Sequence, residues 1–176
     1  MNEIPLGRAT QYPSAYSPEL LFSIPRAANR ERMGISGTQL PFRGYDLWRA
    51  YEISWLNDKG KPIVATGEFI VPASSPNIIE SKSLKLYLNS LNQTRYESIE
   101  QARATISKDL SQAAGSKEVV QLAPLEQAEG FNICTPAGVC LDGLDVMIDS
   151  YTPKPDLLRT TAGRVVEEKL HTDQLR

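Results

Sequence analysis

A short run of residues from Asn77 to Lys85 holds the side chains best suited to binding chemistry in this chain. It places the acid Glu80 next to Ser81 and Lys82, at the point where the apolar spacing changes to that of a helix. The first turn of a helix has N–H groups without intrahelical partners and lies at the positive end of the helix dipole, so Ser81 and Lys82 could bind a phosphate there. A carboxylate such as Glu80 can accept two parallel hydrogen bonds, as the N–H groups of a guanine-like base would offer.

The same residues also fit a purely structural role. Ser81 would then cap a surface helix, and Glu80 would interact favourably with the helix dipole. Lys82 and Lys85 would be solvated. Residue types and spacing alone do not separate the two interpretations.

The remaining candidates for chemistry are few. The cysteines Cys134 and Cys140 and the single histidine His171 cannot supply the usual ligand set of a zinc site, so we expect no metal. We interpret both cysteines as ordinary free thiols and His171 as a solvated tail residue. The acids between Asp142 and Asp149 lack the spacing of a calcium loop and are interpreted as the solvent side of a strand.

Composition excludes some classes of partner. With 19 Lys and Arg against 21 Asp and Glu, the chain has no broad positive field, so we expect no direct contact with nucleic acid. The first twenty residues lack the basic start and apolar run of a signal peptide, and no later stretch is apolar enough for a membrane span. We therefore expect a cytoplasmic protein without a membrane anchor.

Residues 1–43 contain five prolines and no sustained period, which predicts an extended arm anchored by Leu20, Leu21, Phe22 and Ile24. Residues 44–176 are predicted to form one module. A two-residue period, with Leu47, Tyr51, Ile53 and Trp55 on one face, predicts a strand that continues through the turn 57–60 into a second strand over 63–71. In a regular strand Trp48 and Trp55 would lie on opposite faces, and we interpret both as packing residues.

Two helices and two further strands follow. Leu84, Leu88 and Leu91 fit one face of a helix that begins near Ser81. A second helix is bounded by the capping box Ser98 and Gln101 and by Gly115. Strands are predicted over 118–123 and 144–151, and a further β-prone segment begins at Val165.

The predicted order is β-β-α-α-β-β, an α+β class with an antiparallel sheet backed by two helices. Open sheet edges favour pairing with other chains, so we expect an oligomer.

The run Glu80-Ser81-Lys82-Ser83-Leu84-Lys85-Leu86-Tyr87 resembles the signature of the 7-cyano-7-deazaguanine reductases. Further stretches, such as Glu52 to Leu56 and Val165 to Glu168, are similar to the longer, two-module branch of that family. The resemblance implies the tunnelling fold, with two strands, two helices and two strands in each module. It also implies an NADPH-dependent enzyme of queuosine biosynthesis, a route of transfer RNA modification, which reduces a nitrile on a deazapurine to an aminomethyl group.

By that resemblance Ile79, Glu80 and Ser81 would bind the substrate, and Ser81 and Lys82 would bind NADPH. The family attacks the nitrile with a cysteine thiolate and protonates with an aspartate seven residues later. Neither Cys134 nor Cys140 has that aspartate, so no catalytic residue is expected in this chain. The family's His-Glu pair is also missing, since Thr172 follows the only histidine.

We therefore expect the non-nucleophilic N-terminal module of a two-module reductase, ending before the second module and inactive alone, in a homodimer or higher oligomer. One alternative is a non-catalytic purine-binding or scaffold module of the same fold. Another is a pterin-pathway cyclohydrolase, which is disfavoured because such enzymes need metal ligands that a chain with one histidine cannot readily supply.

Overall fold

The computed structural model describes residues 13, 15–35, 40–127, 138–152, 154–157 and 170–171. The chain divides into two compact units, Met1–Glu129 and Gly130–Arg176. In chain order the first unit contains strand β1 (Ser23–Pro25), helix α1 (Arg26–Arg32), strands β2 (Tyr45–Leu56), β3 (Pro62–Pro72) and β4 (Asn77–Ile79), helices α2 (Ser81–Ser90) and α3 (Ile99–Ala114), and strand β5 (Val119–Pro124).

A three-stranded antiparallel sheet forms the centre of this unit, in the order β2-β3-β5. Strands β2 and β3 make the predicted hairpin, whose turn is held by Asn57: its Oδ1 accepts hydrogen bonds from the N–H groups of Lys59 and Lys61. Gly60 completes the turn with φ of 79°, a left-handed conformation that glycine adopts without a steric penalty. The hairpin register is therefore fixed by local chemistry.

Helices α2 and α3 pack against the sheet, and the predicted ends of α3 are confirmed. Ser98 is its N-cap and accepts a hydrogen bond from the N–H of Gln101, while Gly115 ends it at φ of 71°. The α+β class, with an antiparallel sheet backed by two helices, is confirmed as well. The core between them consists mainly of Ile53, Trp55, Ala65, Phe69, Val71, Leu84, Tyr87, Leu91, Ala102, Ile106, Leu110 and Val120.

Strand β2 contains a β-bulge that the sequence did not reveal. Its register against β3 shifts just before Ile53, so Trp48 packs on the same core as Ile53 and Trp55. Tyr51, by contrast, is 63% exposed, and Leu47 is exposed too. The prediction that the two tryptophans lie on opposite faces was wrong because one inserted residue reverses the alternation of a strand.

Residues 1–43 were predicted to be an extended arm. The described part of this segment is not uniformly extended, since it contains helix α1. Strand β1 pairs antiparallel with β4, and α1 follows it directly. The predicted anchors Leu20 and Leu21 do pack against the core. Pairing with β4 draws this segment into the structure of the unit and places it next to the start of α2.

The second unit contains two short parallel strands, β6 (Val139–Cys140) and β7 (Leu170–His171). His171 thus lies in a strand. The strand predicted over 144–151 was wrong: this stretch is irregular, and Leu144, Val146 and Ile148 are exposed. Alternating side chains favour a strand only where a partner strand satisfies the backbone, and no described strand pairs with this stretch. The β-prone segment at Val165 lies outside the described residues.

Across the described ranges, no helix has both the length and the apolar character needed to cross a bilayer.

Candidate functional site

The candidate site lies where strand β4 ends and helix α2 begins. Ile79 is the last residue of β4, and its side chain is buried in the core. The chain turns at Glu80, which has an extended backbone, and the helix starts at Ser81. Of the three residues expected to bind substrate, Ile79 can therefore offer only its backbone.

Glu80, and not Ser81, is the N-cap of α2. One carboxylate oxygen, Oε1, accepts a hydrogen bond of 2.9 Å from the N–H of Lys82, and Oε2 accepts one of 2.7 Å from the N–H of Ser83. Glu80 is only 6% exposed. The interpretation of Ser81 as the cap was wrong, because the longer glutamate side chain reaches back to the same N–H groups.

This capping changes what the helix start can bind. The N–H groups of Lys82 and Ser83 already donate to a carboxylate, so they are not available to a phosphate. A phosphate here would interact with side chains instead, namely the Ser81 hydroxyl and the Lys82 ammonium group, both on half-buried residues. The Ser81 hydroxyl also donates to Oε1 of Glu80, at 3.4 Å. A carboxylate oxygen can accept two hydrogen bonds, so Oε2 keeps a lone pair for a further donor, and Oε1 gains one when the Ser81 hydroxyl turns to another acceptor.

The N-terminal segment holds the helix start in place through Phe22. The carbonyl oxygen of Phe22 accepts a hydrogen bond of 2.9 Å from the N–H of Glu80. Its N–H donates to Oγ of Ser83 at 3.0 Å, and the same hydroxyl donates to the carbonyl of Glu80 at 2.7 Å. Ser83 is buried, so this network is shielded from water and fixes the position of the Glu80 carboxylate.

A cavity of about 270 Å³ lies beside α2, between that helix and the bulged part of β2. Ser81 is part of its lining, together with Lys85, one turn further along the helix. The aromatic residues that line the cavity are Trp48, Tyr51 and Phe69. The sequence did not predict that Trp48 lies near the start of α2, because this arrangement depends on the bulge in β2.

The residues discussed for covalent and metal chemistry lie in the second unit. Cys140 is an exposed free thiol on β6, and Cys134 lies outside the described residues. Within the described ranges, no three side chains of His, Cys, Asp or Glu come together in a way that could hold a metal ion.

Two buried acids escaped the sequence analysis. Asp109 lies on the buried face of α3, where its Oδ2 accepts hydrogen bonds from the hydroxyls of Tyr16 at 2.7 Å and Tyr87 at 2.6 Å. Burial, and then the hydrogen bond to Asp109, raise the pKa of both tyrosines, which keeps them as donors. The sequence contains a signal for this buried acid: Asp109 is a polar residue three positions after Ile106, on the apolar stripe of the helix.

Glu118 is the second buried acid. It is 2% exposed, and its Oε1 accepts a hydrogen bond of 2.7 Å from the Ser116 hydroxyl. Among the described residues, its Oε2 is the one buried side-chain polar atom without a hydrogen-bond partner. Burial raises the pKa of the Glu118 carboxyl, an effect that the Ser116 hydrogen bond and the nearby charge of Arg26 reduce but do not cancel.

A family model and a named relative match this chain. The model of a family described as "Nitrile reductase, 7-cyano-7-deazaguanine-reductase N-term" matches residues 12–122. A protein of Dechloromonas aromatica (strain RCB), named NADPH-dependent 7-cyano-7-deazaguanine reductase, is 55% identical over 172 residues. The match covers 98% of this chain but 61% of the relative, so the chain spans less than two thirds of the relative's length.

Proposed function

Because the chain belongs to the family of N-terminal nitrile reductase modules of 7-cyano-7-deazaguanine reductases, we propose that it serves in the reduction of the nitrile of 7-cyano-7-deazaguanine to an aminomethyl group. The reductant is NADPH, and the pathway is queuosine biosynthesis, in which a transfer RNA base is modified. The observation that carries the proposal is the family match over residues 12–122, which includes the whole start of α2. The relative's printed name supplies the substrate and the cofactor.

In this proposal Ile79, Glu80 and Ser81 bind the deazapurine. The carboxylate of Glu80 is well suited to the task, since two backbone N–H groups hold it rigidly. Oε2 can accept one more hydrogen bond, and Oε1 can do so once the Ser81 hydroxyl, now 3.4 Å away, donates elsewhere. The ring N–H and exocyclic amine of a guanine-type base are donors of the matching kind. Ile79 contributes through its backbone, because its side chain is buried.

Ser81 and Lys82 bind NADPH through their side chains. NADPH supplies the hydride for the reduction when it is bound. A hydroxyl and an ammonium group are donors that fit its phosphates, and their half-buried positions strengthen such contacts relative to exposed ones. This chain contributes binding and not the nucleophile, since neither cysteine is followed by the aspartate that the reaction needs.

Binding measurements on the 176-residue chain test these roles. By isothermal titration, Lys82→Ala should weaken NADPH binding by about 5- to 10-fold, the loss of one charged contact, and leave the deazapurine unaffected. Lys108→Ala is the matched control, because Lys108 is an exposed lysine on α3.

Glu80→Ala should weaken deazapurine binding by about 2–5 kcal/mol. Unchanged affinities in both variants would refute the assignment of these residues.

A second experiment tests the absence of a nucleophile. The chain is mixed with NADPH and 7-cyano-7-deazaguanine, and the NADPH absorbance and intact protein mass are followed. We expect constant absorbance and no adduct. Oxidation of NADPH, or a covalent adduct on Cys134 or Cys140, would show that one of these cysteines acts as the nucleophile.

We propose further that the module spans residues 44–176 with residues 1–43 as its arm, and that it assembles as a homodimer or higher oligomer in the cytoplasm. Strands β2 and β5 are the outer strands of the sheet, and each has one edge without a partner strand within the described ranges. Such open edges favour pairing with another chain, which supports assembly. Sedimentation analysis of the chain measures the number of copies, and a monomer at all concentrations would contradict the assembly.

A further inference from the structure

The cavity beside α2 has apolar side chains from both elements that enclose it, and polar side chains from β2 as well as from α2. Trp48 and Phe69 line it from the sheet, and Leu84 and Leu88 line it from the helix. With about 270 Å³ it is smaller than the roughly 300–1,000 Å³ of pockets that bury drug-sized ligands. It therefore suits one flat ring system, and a whole dinucleotide would not fit inside it.

On the helix side, the polar lining is a row of hydrogen-bonding side chains along α2. Ser81, Lys85 and Asn89 follow each other at intervals of four residues, so they lie on one side of the helix. All three line the cavity. A hydroxyl, an ammonium group and an amide can each donate a hydrogen bond, and Lys85 can only donate. The row is thus complementary to a ligand edge that carries acceptors.

Three charged side chains line the cavity, Arg49 and Glu52 on β2 and Lys85 on α2. Oε1 of Glu52 accepts a hydrogen bond of 3.2 Å from the Ser54 hydroxyl. Arg49, at the β2 side, is paired with Glu68 through a contact of 2.8 Å between Nε and Oε1. The side chain of Lys85 is exposed and makes no hydrogen bond or ion pair with any other described residue. Its ammonium group can therefore turn toward a ligand without giving up a protein contact.

We propose that this cavity binds the heterocycle of 7-cyano-7-deazaguanine, stacked against Trp48, with Lys85 and Asn89 donating to its acceptor edge. The inference rests on the proposed function and adds residues to it. On that edge the base carries a carbonyl oxygen and the nitrile nitrogen, both acceptors, which match the donor row. Ser81 belongs both to the cavity and to the start of α2, so it joins the ring site to Glu80 and Lys82.

Tryptophan fluorescence tests the stacking. The chain has two tryptophans, and Trp55 is buried at 2% exposure, so a ligand ring in the cavity should change the emission of Trp48. Titration with 7-cyano-7-deazaguanine should quench the wild-type chain, and the quenching should be lost in Trp48→Phe. Circular dichroism of the variant checks that the fold is kept.

The donor row is tested by ligand choice. Lys85→Met should weaken binding of 7-cyano-7-deazaguanine by about 10-fold, the loss of a hydrogen bond from a charged donor. Binding of 7-deazaguanine, which has no nitrile, should weaken less, so that the variant no longer distinguishes the two compounds as the wild type does. Lys108→Met, the same change at an exposed lysine on α3, should leave both affinities unchanged.

Equilibrium dialysis of the same samples separates the proposals. Base binding without a Trp48 response, unaffected by Lys85→Met but reduced by Glu80→Ala, would overturn the cavity assignment and leave the proposed function intact, because Glu80 does not line the cavity. Quenching by NADPH and not by the base would assign the cavity to a nicotinamide or adenine ring. It would contradict the proposal that the deazapurine occupies the cavity. Binding of neither compound would overturn both proposals.

Discussion

The eight-residue signature from Glu80 to Tyr87 contains two kinds of residue. Ser83, Leu84 and Tyr87 are buried and hold α2 against the core and the N-terminal segment. Ser81, Lys82 and Lys85 remain accessible on or near the cavity side of the helix. A sequence signature therefore contains buried scaffold residues and accessible residues together, and only the structure separates them.

Glu80 is buried as well, and its carboxylate caps α2, which gives a stability prediction. Glu80→Ala should lower the free energy of unfolding by about 1–2 kcal/mol, because the N–H groups of Lys82 and Ser83 lose their acceptor at a buried helix start. Urea denaturation of the 176-residue chain measures the change.

A matched control is Glu100→Ala, an exposed glutamate in the first turn of α3. It should change stability by less than about 0.5 kcal/mol, as surface substitutions usually do. Equal losses in the two variants would contradict a capping role for Glu80.

How far the sequence predicts this site depends on the residue. The position of the helix start and the polar cluster at Glu80, Ser81 and Lys82 followed from local spacing. Which of them caps the helix did not, because Ser81 and Glu80 are both chemically able to accept from the first turn. The outcome depends on Phe22, whose backbone fixes the N–H of Glu80 from a distant part of the chain.

At the scale of elements, α2 and α3 are joined through one acceptor, Oδ2 of Asp109. Tyr87→Phe removes a buried hydrogen bond to it and should lower stability by about 1.5–3 kcal/mol. Tyr16→Phe removes the other donor to the same oxygen, but Tyr16 is exposed enough for water to replace it, so its cost should be smaller. Thermal or urea denaturation compares the two, and a larger loss in Tyr16→Phe would contradict this ranking.

The packing of the sheet near the bulge depends on Gly67 in β3. A Cβ there would lie 2.6 Å from Cδ1 of Ile53, 3.1 Å from Cδ2 of Leu122 and 3.3 Å from Cζ of Phe69. Gly67→Ala should therefore destabilise the chain by about 1–3 kcal/mol. Adding Ile53→Val removes the closest atom. The double variant should therefore lose less stability than the sum of the losses in the two single variants.

Gly44→Ala serves as the control for this experiment, since nothing lies within 4 Å of the Cβ that it would add. It should leave stability nearly unchanged. Strict additivity of Gly67→Ala and Ile53→Val would mean that Ile53 is not the residue that resists the methyl group.

Elements with local signals were predicted well. The capping box that begins at Ser98 and the glycine at position 115 mark the two ends of α3. The hairpin turn is likewise determined by residues within the turn, Asn57 and Gly60. The bulge in β2 and the irregular stretch 144–151 were missed, because both depend on which strands pair, and strand pairing is nonlocal.

For the whole molecule, the buried carboxyl of Glu118 links stability to pH. Its pKa is raised in the folded chain, so the folded state binds the proton more tightly than the unfolded state does. This contribution to stability is complete below the ordinary pKa of about 4.5 and is lost as the pH rises through the raised value. The charged groups that act on Glu118 are Arg26 and Asp46, themselves an ion pair.

Glu118→Gln should remove this dependence. The stability of the variant relative to wild type should increase from pH 5 to pH 8, because only the wild-type chain must then hold a buried charge whose Oε2 has no partner among the described residues. Urea denaturation at several pH values gives the difference. Parallel pH profiles for the two chains would show that Glu118 does not titrate in this range.

The pairing of β1 with β4 also has a kinetic consequence for the start of α2. Ser23 and Ile79 are cross-strand partners although they are far apart in sequence, so closing this contact costs loop entropy that the local helices do not require. The amides of Phe22 and Glu80 should therefore exchange with deuterium through one common opening, faster than the amides inside α3. The start of α2 would then be the last part of this unit to become ordered during refolding.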